Sequence, residues 1–233
     1  MLTACRLSSY PIRELGADLM PINMASACVI NYLERKILLT VHHATGNNGN
    51  WAIELEYEPP RNATKMHQLG GMYFLKSINL NTINSMDIDF SFIEIPANTE
   101  AYHQDINYQA NQINWSKKRL IGNPCFDKDP DVDKKYCFAG WIRGSRQDNK
   151  LLSENIEYNN LKYIKTEGDY HLFELPFSHP GHDAFKGCSG APIMDEDGNI
   201  VALVCKGDIS KNIVYGISLK RYKIAIDVTY GGI

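Results

Sequence analysis

Residues 185–192 read Phe-Lys-Gly-Cys-Ser-Gly-Ala-Pro, setting two potential nucleophiles, Cys188 and Ser189, side by side between Gly187 and Gly190. Flanking glycines let the backbone bend so that a side chain projects while neighbouring N–H groups converge on one point, the arrangement that acyl transfer needs. A serine hydroxyl is weakly acidic. It therefore also needs a neutral imidazole to take its proton and a carboxylate to hold that imidazole in the right tautomer. Both lie upstream: His42 and His43 end the apolar run KILLTV, and Asp87 and Asp89 head the alternating run DIDFSFIEI (87–95). Either histidine and either acid satisfies the chemistry. The last histidine is His182, before the nucleophile, and Ala191 stands where G-x-S-x-G requires its second glycine, so an α/β-hydrolase is excluded twice.

The elements that must position these groups read as strands. Period-two alternation marks 51–58, 70–80, 89–95, 136–142, 170–177, 199–205 and 212–219, with breakers between them such as Pro59-Pro60, Gly122-Asn-Pro124, the acidic 127–135 loop and Asp197-Gly198. Helix is scarce, with a short one expected near 10–19 and an ambiguous segment, RYKIAIDV, near the C-terminus. This pattern predicts an all-β protein, a barrel or sandwich. The chain has 233 residues, 44% hydrophobic and 22% charged, as in an ordinary soluble globular protein, and a net charge of −3 offers no field to attract nucleic acid or an anionic membrane. No run approaches a membrane span, and charges at Arg6, Arg13, Glu14 and Asp18 occupy the place of a signal peptide's apolar region, so the expected compartment is the cytosol unless a non-Sec route exports the chain. No C-x-x-C, H-E-x-x-H or EF-hand spacing supports a metal, and no cofactor is called for.

Three separated motifs, in the order His, Asp, Ser, make the chain resemble the chymotrypsin/trypsin-like serine proteases. Leu39-Thr-Val-His-His-Ala44 is similar to the family's L-T-x-x-H-C motif, which selects His43 over His42. Asp89-Phe-Ser-Phe-Ile-Glu-Ile resembles D-I-A-L-L-K-L, which selects Asp89 over Asp87. Gly187-Cys-Ser-Gly-Ala-Pro192 resembles G-D-S-G-G-P, and Ala139-Gly140-Trp141 resembles the family's S-G-W-G strand. The matches span roughly residues 25–220; each motif alone is a weak signal, and the ordered set is specific. The resemblance implies two packed six-stranded antiparallel β-barrels in one peptidase unit, about 20–110 carrying His43 and Asp89 and about 111–233 carrying Ser189, with the active site in the cleft between them. It implies a His43–Asp89–Ser189 triad, an oxyanion hole from the Gly187 and Ser189 amides, and a polypeptide substrate.

The resemblance also gives Cys188 a meaning. Proteases of this fold with a cysteine nucleophile have glycine directly after it, whereas here Ser189 follows Cys188 and Gly190 follows Ser189. Cys188 stands where trypsin-like enzymes keep the aspartate that receives a newly cleaved N-terminus, so the site is expected to be organised without N-terminal processing, as in bacterial HtrA-like members, with a regulatory protein partner still able to control it. Cys28 lies 15 residues before His43, but its family partner position is Ala44, and Phe185 replaces another family cysteine. Free thiols are therefore expected, in keeping with a reducing cytosol.

Asp183, six residues before Ser189, is similar to the pocket carboxylate of trypsin and implies cleavage after Arg or Lys if buried. Cys205-Lys206-Gly207 stand in place of S-W-G on the pocket wall, where Lys206 is able to compete for Asp183 and Ile213 to narrow the pocket. His42 and His103 read as surface or structural histidines and Asp87 as a turn residue, and His171, His179 and His182 as either cleft or surface residues. A narrow processing, effector or defence protease is the expected activity; the alternative is a non-catalytic protease-fold module that binds a peptide or protein partner.

Overall fold

The computed structural model describes residues 1–46, 49–79, 84–107, 112–122, 124, 126, 129–147, 150–220 and 222–231. The first half runs α1 (Leu2–Ser8), β1 (Tyr10–Leu15), β2 (Pro21–Tyr32), β3 (Arg35–Thr40), α2 (His42–Thr45), β4 (Trp51–Glu58), β5 (Ala63–Gln68), β6 (Tyr73–Asn79) and β7 (Asn84–Ile95). A separate ribbon, β8 (Tyr102–Asn107) and β9 (Gln112–Lys117), and short β10 (Ile121–Gly122) lead into the second half. There follow β11 (Lys135–Gln147), β12 (Lys150–Glu167), β13 (Tyr170–Glu174), β14 (Pro192–Asp195), β15 (Ile200–Asp208), β16 (Ile213–Ser218) and α3 (Lys223–Tyr230).

The second half is a closed six-stranded barrel, β11-β12-β13-β16-β15-β14. The first half pairs seven strands in the order β5-β4-β1-β2-β3-β7-β6, with β10 added beside β2. Its two end strands, β5 and β6, are consecutive in sequence and joined only by residues 69–72. Such a link reaches about 17 Å at most, so the sheet has to curl until its ends approach. Leu69 and Met72 of that link pack inside with Tyr10, Ile12, Val29, Leu38 and Ile53.

Alternation assigns the two faces. On β2, Ala25, Ala27 and Val29 point into the first barrel, while Cys28 and Ile30 point at the second. On β3, Leu38 points inward, while Ile37 and Leu39 join Phe90 and Phe92 of β7 in a core shared with Cys137, Leu203 and Ile217 of the second barrel. These central strands are buried on both faces, which explains their nearly continuous apolar runs. The shared core fixes one half against the other. Each terminal helix packs across it: α1 lies on β11, β12 and β14, and α3 returns to the first half, where Asp227 accepts from Tyr32 Oη at 2.7 Å.

One expectation is corrected, and one open segment is decided. The segment near 10–19 is strand β1 rather than a helix, because Tyr10 and Ile12 alternate into the barrel interior. Pro11 is tolerated there because pairing with β4 begins only at Ile12. The C-terminal segment open to either helix or strand is helix α3 over Lys223–Tyr230, closed by Gly231 at φ 78°, with Arg221 outside the described residues.

Candidate active site

His43 lies in the single turn α2, directly beyond the apolar end of β3. Asp89 lies on β7 where the pairing with β6 slips: Phe74 is opposite Ser91, but Leu75 is opposite Ile88, so Asp89 and Phe90 form a bulge. A bulge bends its strand and re-aims a side chain. Here it turns the Asp89 carboxylate onto His43. The carboxylate accepts from the His43 backbone N–H at 2.8 Å, and its two oxygens lie 2.9 and 2.8 Å from His43 Nδ1. Across the cleft, His43 Nε2 is 2.9 Å from Ser189 Oγ. A carboxylate on Nδ1 fixes the proton there and leaves Nε2 as the acceptor facing the hydroxyl.

Burial alone would raise the Asp89 carboxyl. The hydrogen bonds and charge of His43, with a further hydrogen bond from the Cys205 thiol, outweigh it and hold the carboxyl below its ordinary value. Cys205 reaches Asp89 because β15 also slips, between Val204 and Lys206. Its thiol also donates to the Leu203 carbonyl at 3.5 Å.

Ser189 sits in a loop shaped by glycines at left-handed φ, Gly187 at 106° and Gly190 at 89°. Gly190 admits no side chain: a Cβ would lie 2.0 Å from the Ser26 carbonyl oxygen and 2.3 Å from Thr40 Oγ1. Cys188 N–H donates to the Phe185 carbonyl at 2.9 Å and Gly190 N–H to the Val204 carbonyl at 2.8 Å. Among the described residues, no group of the protein accepts from the Gly187 or Ser189 amides. Cys188 is fully buried against Gly140, and burial raises its thiol well above the ordinary range. Such a thiol stays protonated and points away from the cleft.

A cleft of about 370 Å³ adjoins Ser189, and Asp183, Cys205, Lys206 and Gly207 all line it. Asp183, at the head of the 3₁₀ turn Asp183–Phe185, is exposed rather than buried at the base. Lys206 does not pair with it; its Nζ lies 4.9 Å from the ring centroids of both Tyr170 and Tyr215. The more enclosed walls are Val204, Val214 and Phe185, and Val214 rather than Ile213 faces the space. His182 lines the mouth, whereas His179 is buried behind Gly207 and Phe185, with Nδ1 accepting from Gly181 N–H at 3.0 Å.

The remaining histidines are outside the site. His42 is buried against Phe74, ring centroids 4.6 Å apart, near Ser91 and Asp87. His103 packs on Trp141, and His171 is buried in the second barrel beside Thr166. Cys5, Cys28, Cys137, Cys188 and Cys205 are free and buried; Cys125 lies outside the described residues. Among the described residues no helix is long and apolar enough to cross a membrane. The sequence alone did not single out Ser26, which bonds to the Gly187–Ser189 loop from the other barrel.

No family model matches the chain, and no curated protein matches it in sequence. Solved structures do match its fold. Neuropsin, a serine protease expressed in the limbic system of mouse brain, is similar over 98% of this chain and 96% of its own, with a TM-score of 0.59 at 10% identity. HBP is similar over 98% and 93%, with a TM-score of 0.60 at 11% identity. A serine endoprotease from Yersinia pestis has a TM-score of 0.54 at 10% identity; the match covers 98% of this chain and 65% of that one. At these identities the likeness is one of fold, and by that measure the chain has the two-barrel architecture of the chymotrypsin-like serine proteases.

Proposed function

We propose that the protein is a serine endopeptidase acting through His43, Asp89 and Ser189. The observation that carries the reading is the continuous contact from the Asp89 carboxylate through both ring nitrogens of His43 to Ser189 Oγ. Ser189 Oγ attacks the carbonyl carbon of a peptide bond while its proton passes to His43 Nε2. The negative oxygen that forms is held by the Gly187 and Ser189 amides, and Asp89 stabilises the imidazolium. His43 then returns the proton to the leaving amine, giving an acyl-enzyme. Water, deprotonated by His43, attacks the ester and releases the acid. Cys188 takes no part, since a buried protonated thiol is a poor nucleophile.

With Cys188 in place of the acidic residue that would receive a new N-terminus, activity does not depend on N-terminal cleavage. Buried free thiols favour a reducing cytosol, where an unrestricted protease would digest its host, so a narrow processing, effector or defence role fits best. The test is to incubate a cell lysate with purified wild type or Ser189→Ala and map new N-termini. Termini generated by wild type alone are expected, and identical maps would overturn the reading.

A further inference from the structure

We propose that Ser26, a residue of the first barrel, is the positioning residue that holds the Gly187–Ser189 loop in its reacting shape. The inference rests on the acyl-transfer reading above. Ser26 is fully buried on β2, on the face opposite Ala25 and Ala27, which point into the barrel core. All its polar atoms are engaged. Its Oγ–H donates to the Gly187 carbonyl at 2.8 Å, and Oγ accepts from the Trp141 backbone N–H at 2.9 Å. The Trp141 group can only donate, so the single hydroxyl proton is committed to Gly187. Ser26 N–H donates to the Ser189 carbonyl at 2.9 Å, and the Ser26 carbonyl accepts from Thr40 Oγ1 at 2.8 Å.

These bonds bracket the peptide unit that matters. The Gly187 carbonyl fixes the plane before Cys188 and the Ser189 carbonyl fixes the plane after Ser189, so the 188–189 unit, which carries the Ser189 amide, is held at both ends. Gly187 at φ 106° has no side chain to resist rotation, so its orientation has to come from partners. Cys188 offers no charge for an ion pair; it packs against Gly140, where a Cβ would meet its Sγ at 2.5 Å. Backbone bonds within the second barrel also hold the loop, including Ala191 N–H to the Cys188 carbonyl at 2.9 Å, and the hydroxyl of Ser26 adds a side-chain anchor on the Gly187 carbonyl from the other barrel. Because it belongs to the barrel that carries His43 and Asp89, it also registers the oxyanion donors against the base.

The test compares wild type, Ser26→Ala, Ser26→Thr and Ser189→Ala on a cleaved peptide, with fluorophosphonate labelling alongside. Ser26→Ala is expected to lose roughly 10- to 100-fold in kcat, as when oxyanion donors are misplaced, with KM nearly unchanged. Affinity for a peptide aldehyde, which forms a tetrahedral adduct, should fall by the same factor. The low-field proton signal of the His43–Asp89 pair should stay, and Ser26→Thr, which keeps the hydroxyl, should recover most of the rate. A kcat within twofold of wild type overturns the proposal, as does a loss carried by KM together with loss of the His43–Asp89 signal. Should Ser26→Ala not fold, Ser26→Cys, close in volume and a weak donor, carries the same two outcomes. Failure of the acyl-transfer reading is separate, because wild type itself would then neither cleave nor label.

Discussion

Replacing Gly190 by alanine attacks the junction of the two barrels at its tightest point. The new Cβ would stand 2.0 Å from the Ser26 carbonyl oxygen and 2.3 Å from Thr40 Oγ1, where real contacts essentially never fall below 3.0 Å. The loop or β2 therefore has to move by about 1 Å. A left-handed φ of 89° adds about 1–2 kcal/mol for a residue with a Cβ. Moving the loop strains the Ser26–Ser189 and Thr40–Ser26 hydrogen bonds, 2.9 and 2.8 Å long, each contributing about 1 kcal/mol. Overpacking costs about 1–3 kcal/mol more. The expected loss is about 4–7 kcal/mol, a large part of the roughly 5–15 kcal/mol by which domains are stable. Urea unfolding followed by tryptophan fluorescence reads it, since Trp51 and Trp141 lie on β4 and β11, one in each barrel. A midpoint within 1 kcal/mol of wild type, with unchanged fluorophosphonate labelling, would show that the nucleophile loop is not seated on β2 as described.

Asp89→Asn should leave the fold intact but lower kcat by about 10⁴, because an amide facing Nδ1 imposes the wrong imidazole tautomer; a loss under tenfold in steady-state kinetics refutes the role. In wild type the depressed Asp89 carboxyl contributes stability that is present above its unfolded value near 3.8 and is lost as pH falls through the lower folded value. Acid unfolding curves of Asp89→Asn should lack that component. Asp183 is exposed, so a substrate cation gains only about 1 kcal/mol from it, and preference for Arg or Lys over apolar residues should be under roughly tenfold and should vanish in Asp183→Asn. A digest of a peptide library cleaved almost wholly after Arg and Lys contradicts this.

The readable parts of the sequence were those whose information is local. Segments 51–58 and 89–95 alternate at period two and are strands β4 and most of β7. His43, Asp89 and Ser189 stood in short ordered motifs, and the structure brings the three side chains within hydrogen-bonding reach. What escaped has long-range causes. Tyr10–Leu15 was expected to be helical because a six-residue stretch with two inward residues barely constrains the period, and β2 and β4 on either side decide it. The bulges that aim Asp89 and Cys205 exist only in the register between paired strands. Ser26 is a small polar residue within a mostly apolar strand, and its partners at 141, 187 and 189 are more than a hundred residues away. The exposure of Asp183 follows from the 3₁₀ turn it heads, which a motif match does not encode.

The central claim is that Ser189, and not its neighbour, is the nucleophile. Intact-mass and peptide mass spectrometry after fluorophosphonate treatment tests it most directly. One adduct per chain on Ser189 is expected in wild type and in Cys188→Ala, and none in Ser189→Ala or His43→Ala. An adduct that survives Ser189→Ala, or disappears with Cys188→Ala, would contradict the account.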